Sequence, residues 1–309
     1  MHPFRFGVQL SKAGSGPAWR ETARTIEGLG YSSLFIPDHF EDQFGPLVAL
    51  TVAAEATTTL RVGSLVFGND YRHPVVLAKE VATLDLVSEG RVEFGLGAGW
   101  MSVDYQQAGM VEDPPKVRID RMAESLAVLK SLWSDEVTSF AGEHYTVTGA
   151  VGSPKPVQRP HPPIIIGGGG RRVLGIAGRE ADIVGVNPSL AAGHIGTEVI
   201  ATTAPAYYDE RVAWIREAAG DRFDDLELQC LTFMVQIVPN RTEAVEQLAA
   251  LLSQDPEQVA GSPVAMIGTV EEITESLQQR RERWGFSYIV VHEAEMEAFA
   301  PVVAALAGT

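Results

Sequence analysis

Cysteine is almost absent from this chain of 309 residues: Cys230 stands alone. One thiol excludes an intramolecular disulfide and a cysteine-based zinc site, and it fits a reducing, cytoplasmic setting. Positive charge is scarce as well. Lys and Arg total 24 against 40 Asp and Glu, a formal net charge of −16. Such a surface repels phosphate backbones and anionic bilayers, so neither a nucleic-acid nor a membrane partner is expected. No apolar run reaches the length of a membrane span. The first segment, Phe4-Arg-Phe-Gly-Val-Gln-Leu10, alternates like a strand and does not read as a signal peptide. The expectation is a soluble, intracellular protein. Hydrophobic residues make up 45% of it, enough for a large core without cross-links.

What is present is a rhythm. Strand-like segments occur near residues 4–10, 33–37, 61–67, 92–96, 163–166, 181–186, within 226–238, and at 288–291. Helix-like segments separate them, several with Pro in the first turn (Pro46, Pro74) and one with the capping-box pair Thr269 and Glu272. Eight strands interleaved with helices predict an α/β fold with a parallel sheet. The count favours a single (β/α)8 TIM barrel spanning residues 1–309 over an open doubly wound sheet. Insertions are expected after strands four and six: a loop at 100–117, a small hairpin near 139–148, and an irregular stretch at 188–205. In a barrel the loops that follow strands build the active-site face.

Two glycine-rich runs fail the dinucleotide fingerprint. Arg172 stands where Gly167-Gly-Gly-Gly-Arg-Arg172 would need its third glycine, and Trp100 does the same to Gly95-Leu-Gly-Ala-Gly-Trp100. The first run still leaves a strand and opens a helix, which suits either an anion held on backbone N–H groups or a tight turn. Gly95, Gly97 and Gly99 share one side of their strand, which leaves room either for a flat ring or for close strand packing. Asp38-His39-Phe40 follows strand two directly, so His39 is placed either for proton transfer or for a structural hydrogen bond. The histidines lack metal-ligand spacing, so no metal site is expected, and no G-x-S-x-G elbow occurs.

Longer stretches carry a resemblance. Arg61-Val-Gly-Ser-Leu-Val-Phe67, Arg72-His-Pro-Val-Val-Leu-Ala-Lys-Glu-Val-Ala-Thr-Leu-Asp85 and Ser88-Glu-Gly-Arg-Val-Glu-Phe-Gly-Leu-Gly-Ala-Gly-Trp100 resemble the luciferase-like oxidoreductases. Leu29 to His39, Arg118 to Trp133, Phe140 to Tyr145, Pro163 to Gly168 and Ile267 to Thr269 look similar too; residues 188–225 match poorly. The Asp38-His39-Phe40 ending looks most like the branch that uses coenzyme F420, a 5-deazaflavin, with FMN the alternative. The resemblance implies that His39 takes part in proton transfer and that Asp38 contacts the cofactor region. It implies a bulge with a non-prolyl cis peptide at Ser64-Leu65 behind the ring, a phosphate loop at Gly167, Gly168 and Gly169, and Gly97 at the glycine-rich end of strand four. One departure stands out: Trp100 occupies the place of a glutamate acid in the branch's sugar-phosphate dehydrogenases, and would instead wall an apolar substrate pocket. The expected function is hydride transfer between F420 and a small organic substrate. The alternatives are an FMN-dependent monooxygenase using reduced flavin and O2, and a non-catalytic deazaflavin-binding protein. A homodimer is compatible with the resemblance.

Overall fold

The computed structural model describes residues 1–12, 14–134, 137–194 and 196–309. In chain order its first elements are β1 (Arg5–Gln9), α1 (Gly16–Gly28), β2 (Ser33–Ile36), α2 (Pro46–Ala56), β3 (Arg61–Gly68), α3 (Pro74–Val87) and β4 (Val92–Gly97). Then come α4 (Ser102–Ala108), α5 (Pro115–Trp133), β5 (Thr138–Ala141), β6 (Thr146–Ala150), β7 (Ile164–Gly168), α6 (Arg171–Glu180) and β8 (Ile183–Val186). The chain continues through α7 (Thr197–Ile200), α8 (Pro205–Ala219), β9 (Glu227–Leu231), β10 (Met234–Ile237), α9 (Arg241–Leu252) and α10 (Pro256–Gly261). It ends with β11 (Ala265–Gly268), α11 (Val270–Trp284), β12 (Phe286–His292) and α12 (Met296–Leu306).

Eight of these strands close into a parallel barrel in the order β1-β12-β9-β8-β7-β4-β3-β2, so the expected (β/α)8 architecture is what the chain adopts. Side chains alternate across each strand. Phe6, Val8, Leu34, Ile36, Val62, Phe94, Leu96, Ile164 and Ile166 face outward and join the helices in the main apolar layer. Phe35, Ile165, Ile183, Tyr288 and Val290 form a separate cluster inside the barrel. Inward glycines set how closely the strands approach that cluster. A Cβ on Gly7 would lie 2.5 Å from Ser33 Oγ and 3.3 Å from the Phe35 ring, and one on Gly63 would lie 2.2 Å from the Glu93 carbonyl.

Among the described residues, four pieces lie outside the barrel. Helix α4 follows β4 in the stretch expected as a loop. The antiparallel hairpin β5–β6 is where the sequence places it. The stretch after β8 holds the short α7. A fourth insertion was not foreseen: the segment expected to contain one strand at 226–238 splits into barrel strand β9 and β10, and β10 pairs in parallel with β11 in a two-stranded sheet of its own. Both short strands are apolar, and hydrophobicity alone cannot tell a barrel strand from a satellite one. Helices α9 and α10 cover that satellite, giving it a small apolar cluster around Val245, Leu248, Val259 and Ile267. Among the described residues, no helix is long and apolar enough to cross a membrane.

Candidate active site at the C-terminal ends of the strands

The end of β2 is tied to the end of β3 by Asp38. This buried carboxylate accepts the Gly68 N–H at 3.0 Å and grips the Arg72 guanidinium, whose Nη2 donates to Oδ1 at 3.1 Å. The next residue, His39, turns away from that pair. Its Nδ1 lies 2.6 Å from Oδ2 of Asp104, a carboxylate with no solvent exposure. Asp104 also accepts the Phe40 N–H at 3.2 Å and the Tyr71 hydroxyl at 2.9 Å. An ionised carboxylate only accepts hydrogen bonds, so Nδ1 of His39 carries a proton toward Asp104 and Nε2 is the ring nitrogen turned away from it. Burial, and then the bond to Asp104, raise the Tyr71 pKa above the ordinary phenol value. Tyr71 is therefore a fixed donor. The Trp100 ring stands perpendicular to the imidazole, 5.6 Å away between centroids.

Asp104 sits on α4, inside the stretch read from sequence as loop. Helix α4 is held from below. Tyr105 donates to Asp70 at 3.0 Å, and Arg121 pairs with Asp70 at 2.9 Å. Arg118 donates to the Gly99 carbonyl at 2.7 Å. Gly99 has φ +76°, and a Cβ there would fall 2.2 Å from the Tyr105 hydroxyl. The sequence names His39 and Trp100, which the structure sets side by side; nothing in it singles out Asp104 or Tyr71. The nearest signal is the Gly109 stop after Asp104-Tyr105-Gln-Gln-Ala108, which marks a short helix.

Ser64 and Leu65 lie where β3 slips by one residue against β4. The cis peptide joins Leu65 to Val66, one bond beyond the expected Ser64-Leu65. Ser64 donates to the Ile36 carbonyl at 2.8 Å, and Gln9 from β1 donates to the Leu65 carbonyl at 3.0 Å. A Cβ on Gly95 would lie 2.1 Å from the Ser64 carbonyl, and one on Gly97 2.5 Å from Val66 Cγ2. Of the two readings of those glycines, close strand packing is the one the geometry bears: they make room for the bulge.

The glycine run 167–170 leaves β7 on the far side of the mouth. Gly167, Gly168 and Gly169 press on Asn187, Val173 and the carbonyls of Asn187 and Pro188, so side chains there would collide with the protein itself. Gly170 has open space beside it. It precedes α6, whose first turn carries neither a side-chain cap nor an acidic residue. Those N–H groups are free for an anion. Arg171 and Arg172 pair at the surface with Glu217 and Asp120. Arg211 donates to the Gly169 carbonyl at 3.1 Å and stacks over Tyr207. Cys230, outside the barrel wall, has its thiol pushed up to about 12 by burial and is inert as a nucleophile.

A closed barrel with a histidine–carboxylate pair and a glycine loop at its C-terminal mouth defines an α/β-barrel enzyme. The model of the luciferase-like monooxygenase family matches residues 1–284. The chain belongs to that family, and with it to the flavin- and deazaflavin-type oxidoreductases. An F420-dependent glucose-6-phosphate dehydrogenase of Nakamurella multipartita is 30% identical over 295 residues, covering 91% of this chain and 83% of that protein. Among solved structures, the coenzyme F420-dependent tetrahydromethanopterin reductase from Methanopyrus kandleri superposes with a TM-score of 0.76 at 19% identity, over 98% of each chain. A long-chain alkane monooxygenase superposes at 0.77 with 15% identity, over 99% of this chain and 91% of that one. At these identities the two structures speak for the fold.

Proposed function

We propose that this protein is an F420-dependent oxidoreductase moving a hydride between the deazaflavin and a small organic substrate. The observation that carries the reading is His39, held by buried Asp104 in a single tautomer at a mouth that also offers a bulge and a glycine loop. The relative from Nakamurella, which spans nearly the whole chain, supports the choice of coenzyme.

The cofactor, when bound, supplies the two-electron chemistry. The chain's residues do the rest. The open N–H groups beside Gly170 and at the start of α6 receive a phosphate. Gln9 and Ser64 fix the backbone of the β3 bulge, and Gly95 and Gly97 let that bulge stand against β4. Asp104 holds the Nδ1 proton of His39, so Nε2 takes or gives the proton that accompanies the hydride. Tyr71 and the Phe40 N–H fix Asp104 in turn.

The test is a titration of the purified protein with F420 and, separately, with FMN, followed by cofactor fluorescence. Tight F420 binding with weak FMN binding is expected. The reverse preference moves the protein to FMN-dependent monooxygenation and makes oxygen uptake the assay.

A further inference from the structure

The loops that follow the barrel strands are chemically lopsided. Residues 10–15, 37–45, 69–73, 98–114, 169–170, 187–204, 232–233 and 293–295 hold ten acidic residues and two basic ones, Lys12 and Arg72. Arg72 is taken by Asp38. The two guanidiniums just behind this rim are engaged too: Arg118 on the Gly99 carbonyl, with Glu112 3.9 Å away, and Arg121 by Asp70 and Asp113. The stretch 187–204 contains no Lys or Arg at all. It folds over the mouth: the Ser102 N–H donates to the Gly193 carbonyl at 3.3 Å, and a Cβ on Gly193 would lie 2.5 Å from Ser102 Oγ. The two insertions thus meet beside Trp100, whose carbonyl would lie 3.5 Å from a Cβ on Gly193. The arginines on α6 and α8, Arg171, Arg172 and Arg211, belong to the glycine-loop side.

We propose that the substrate beside His39 is electrically neutral and largely apolar, an alcohol or carbonyl compound packed on Trp100, and that sugar phosphates are excluded. The inference rests on the hydride-transfer reading above. A dianion entering this mouth meets a negative field and, among the described residues of the rim, no unengaged guanidinium; Lys12 alone, against ten acidic residues, offers little in exchange for its lost hydration. A neutral alcohol loses little on entry and gains contact with the indole face. In oxidation the C–H bond breaks with its electron pair passing as hydride to the deazaflavin, while the O–H proton passes to Nε2 of His39. The substrate leaves as the carbonyl compound, two electrons and two protons poorer. Reduction is the reverse.

The experiment has two stages. F420 affinity of the wild type is measured first, with no substrate present; absence of binding there sinks the function reading, and the inference with it. The F420-loaded protein is then titrated with cyclohexanol and with glucose 6-phosphate, read by protein fluorescence and by kcat/KM at low and high salt. Saturable cyclohexanol binding that ignores salt, and no saturation by glucose 6-phosphate, is the expected result. Trp100→Ala weakens cyclohexanol binding about tenfold and Trp100→Phe restores most of it. Tighter binding of glucose 6-phosphate than of cyclohexanol overturns the proposal. So does a loaded protein that fails to bind cyclohexanol, or a Trp100→Ala variant that binds it as the wild type does.

Discussion

Arg5 closes the N-terminal end of the barrel and His39 stands at the C-terminal end, and the two are surrounded in opposite ways. Arg5 is gripped by Glu93 from β4 and Glu227 from β9, and its guanidinium lies 3.7 Å over the Tyr288 ring. Glu93 also accepts Arg61 at 2.8 Å and the Tyr288 hydroxyl at 2.8 Å, and Tyr288 bonds Ser33. Burial opposes both charges, yet the partners win: the Arg5 pKa is raised and that of Glu93 lowered. Every charge in this plug has a counter-charge. At the other end one buried carboxylate collects three donors, and Nε2 of the imidazole makes no hydrogen bond among the described residues. Buried polar groups that are fully paired hold a structure together, while a positioned but unpaired one is available for chemistry. The division makes a prediction about mutants: changes at the base lower stability and spare the chemistry, and changes at the mouth do the reverse.

The largest effect belongs to His39. His39→Ala is expected to cut turnover by roughly 10²–10⁴-fold, the usual worth of a positioned proton carrier, with the melting temperature almost unchanged. Steady-state kinetics alongside thermal unfolding checks both halves. Turnover equal to wild type removes His39 from the mechanism. Glu93→Ala follows: it strips Arg5, Arg61 and Tyr288 of a shared buried partner at about 3–5 kcal/mol. Urea unfolding reads the loss, and F420 affinity of the folded fraction should match wild type. A variant as stable as wild type would show that the basal plug is not what holds the barrel closed. Asp104→Asn is smaller, about 10²-fold in turnover, the low end of what positioned proton transfer contributes, because the imidazole remains but its tautomer is no longer enforced. Turnover is expected to fall while F420 affinity stays at the wild-type value, read by steady-state kinetics beside a cofactor titration. A loss of F420 affinity with turnover of the bound enzyme intact would leave Asp104 a merely structural role.

Much of this division was legible in the residues. Alternating apolar strands and capped helices predict the barrel, and the Asp38-His39-Phe40 ending of strand two and Trp100 after strand four stand out in the sequence. The rest was hidden for identifiable reasons. Asp104 reaches His39 across 65 positions, and no local pattern encodes a contact of that separation. The basal plug is assembled from Arg5, Glu93, Glu227 and Tyr288 on four different strands, each of which reads alone as an ordinary polar residue at a strand start. The glycines of β4 were visible, but what they accommodate, the Leu65–Val66 bulge, depends on the pairing of two strands. Satellite strands β10 and β11 escaped because short apolar segments look alike wherever they end up.

The smallest effect tests whether the base also stabilises through backbone hydrogen bonds. One oxygen of Glu27, near the end of α1, accepts the N–H groups of Thr58, Thr59 and Leu60 at 2.8, 2.6 and 3.0 Å, fastening the loop that enters β3. Partial burial opposes the charge, but the Thr59, Thr58 and Leu60 N–H groups bring its pKa down from 4.5 to about 2. A carboxylate depressed on folding stabilises the native state above its unfolded pKa, and that contribution fades as the pH falls towards the folded value. Here the window runs from about 4.5 down to about 2. Glu27 is partly solvated, so the contribution at neutral pH is discounted to about 1 kcal/mol. Glu27→Gln should therefore unfold at lower urea than wild type near neutrality, and the gap should shrink below about pH 4.5. A gap that stays constant with pH would place the loss in packing and leave the carboxylate charge without a part in holding the loop.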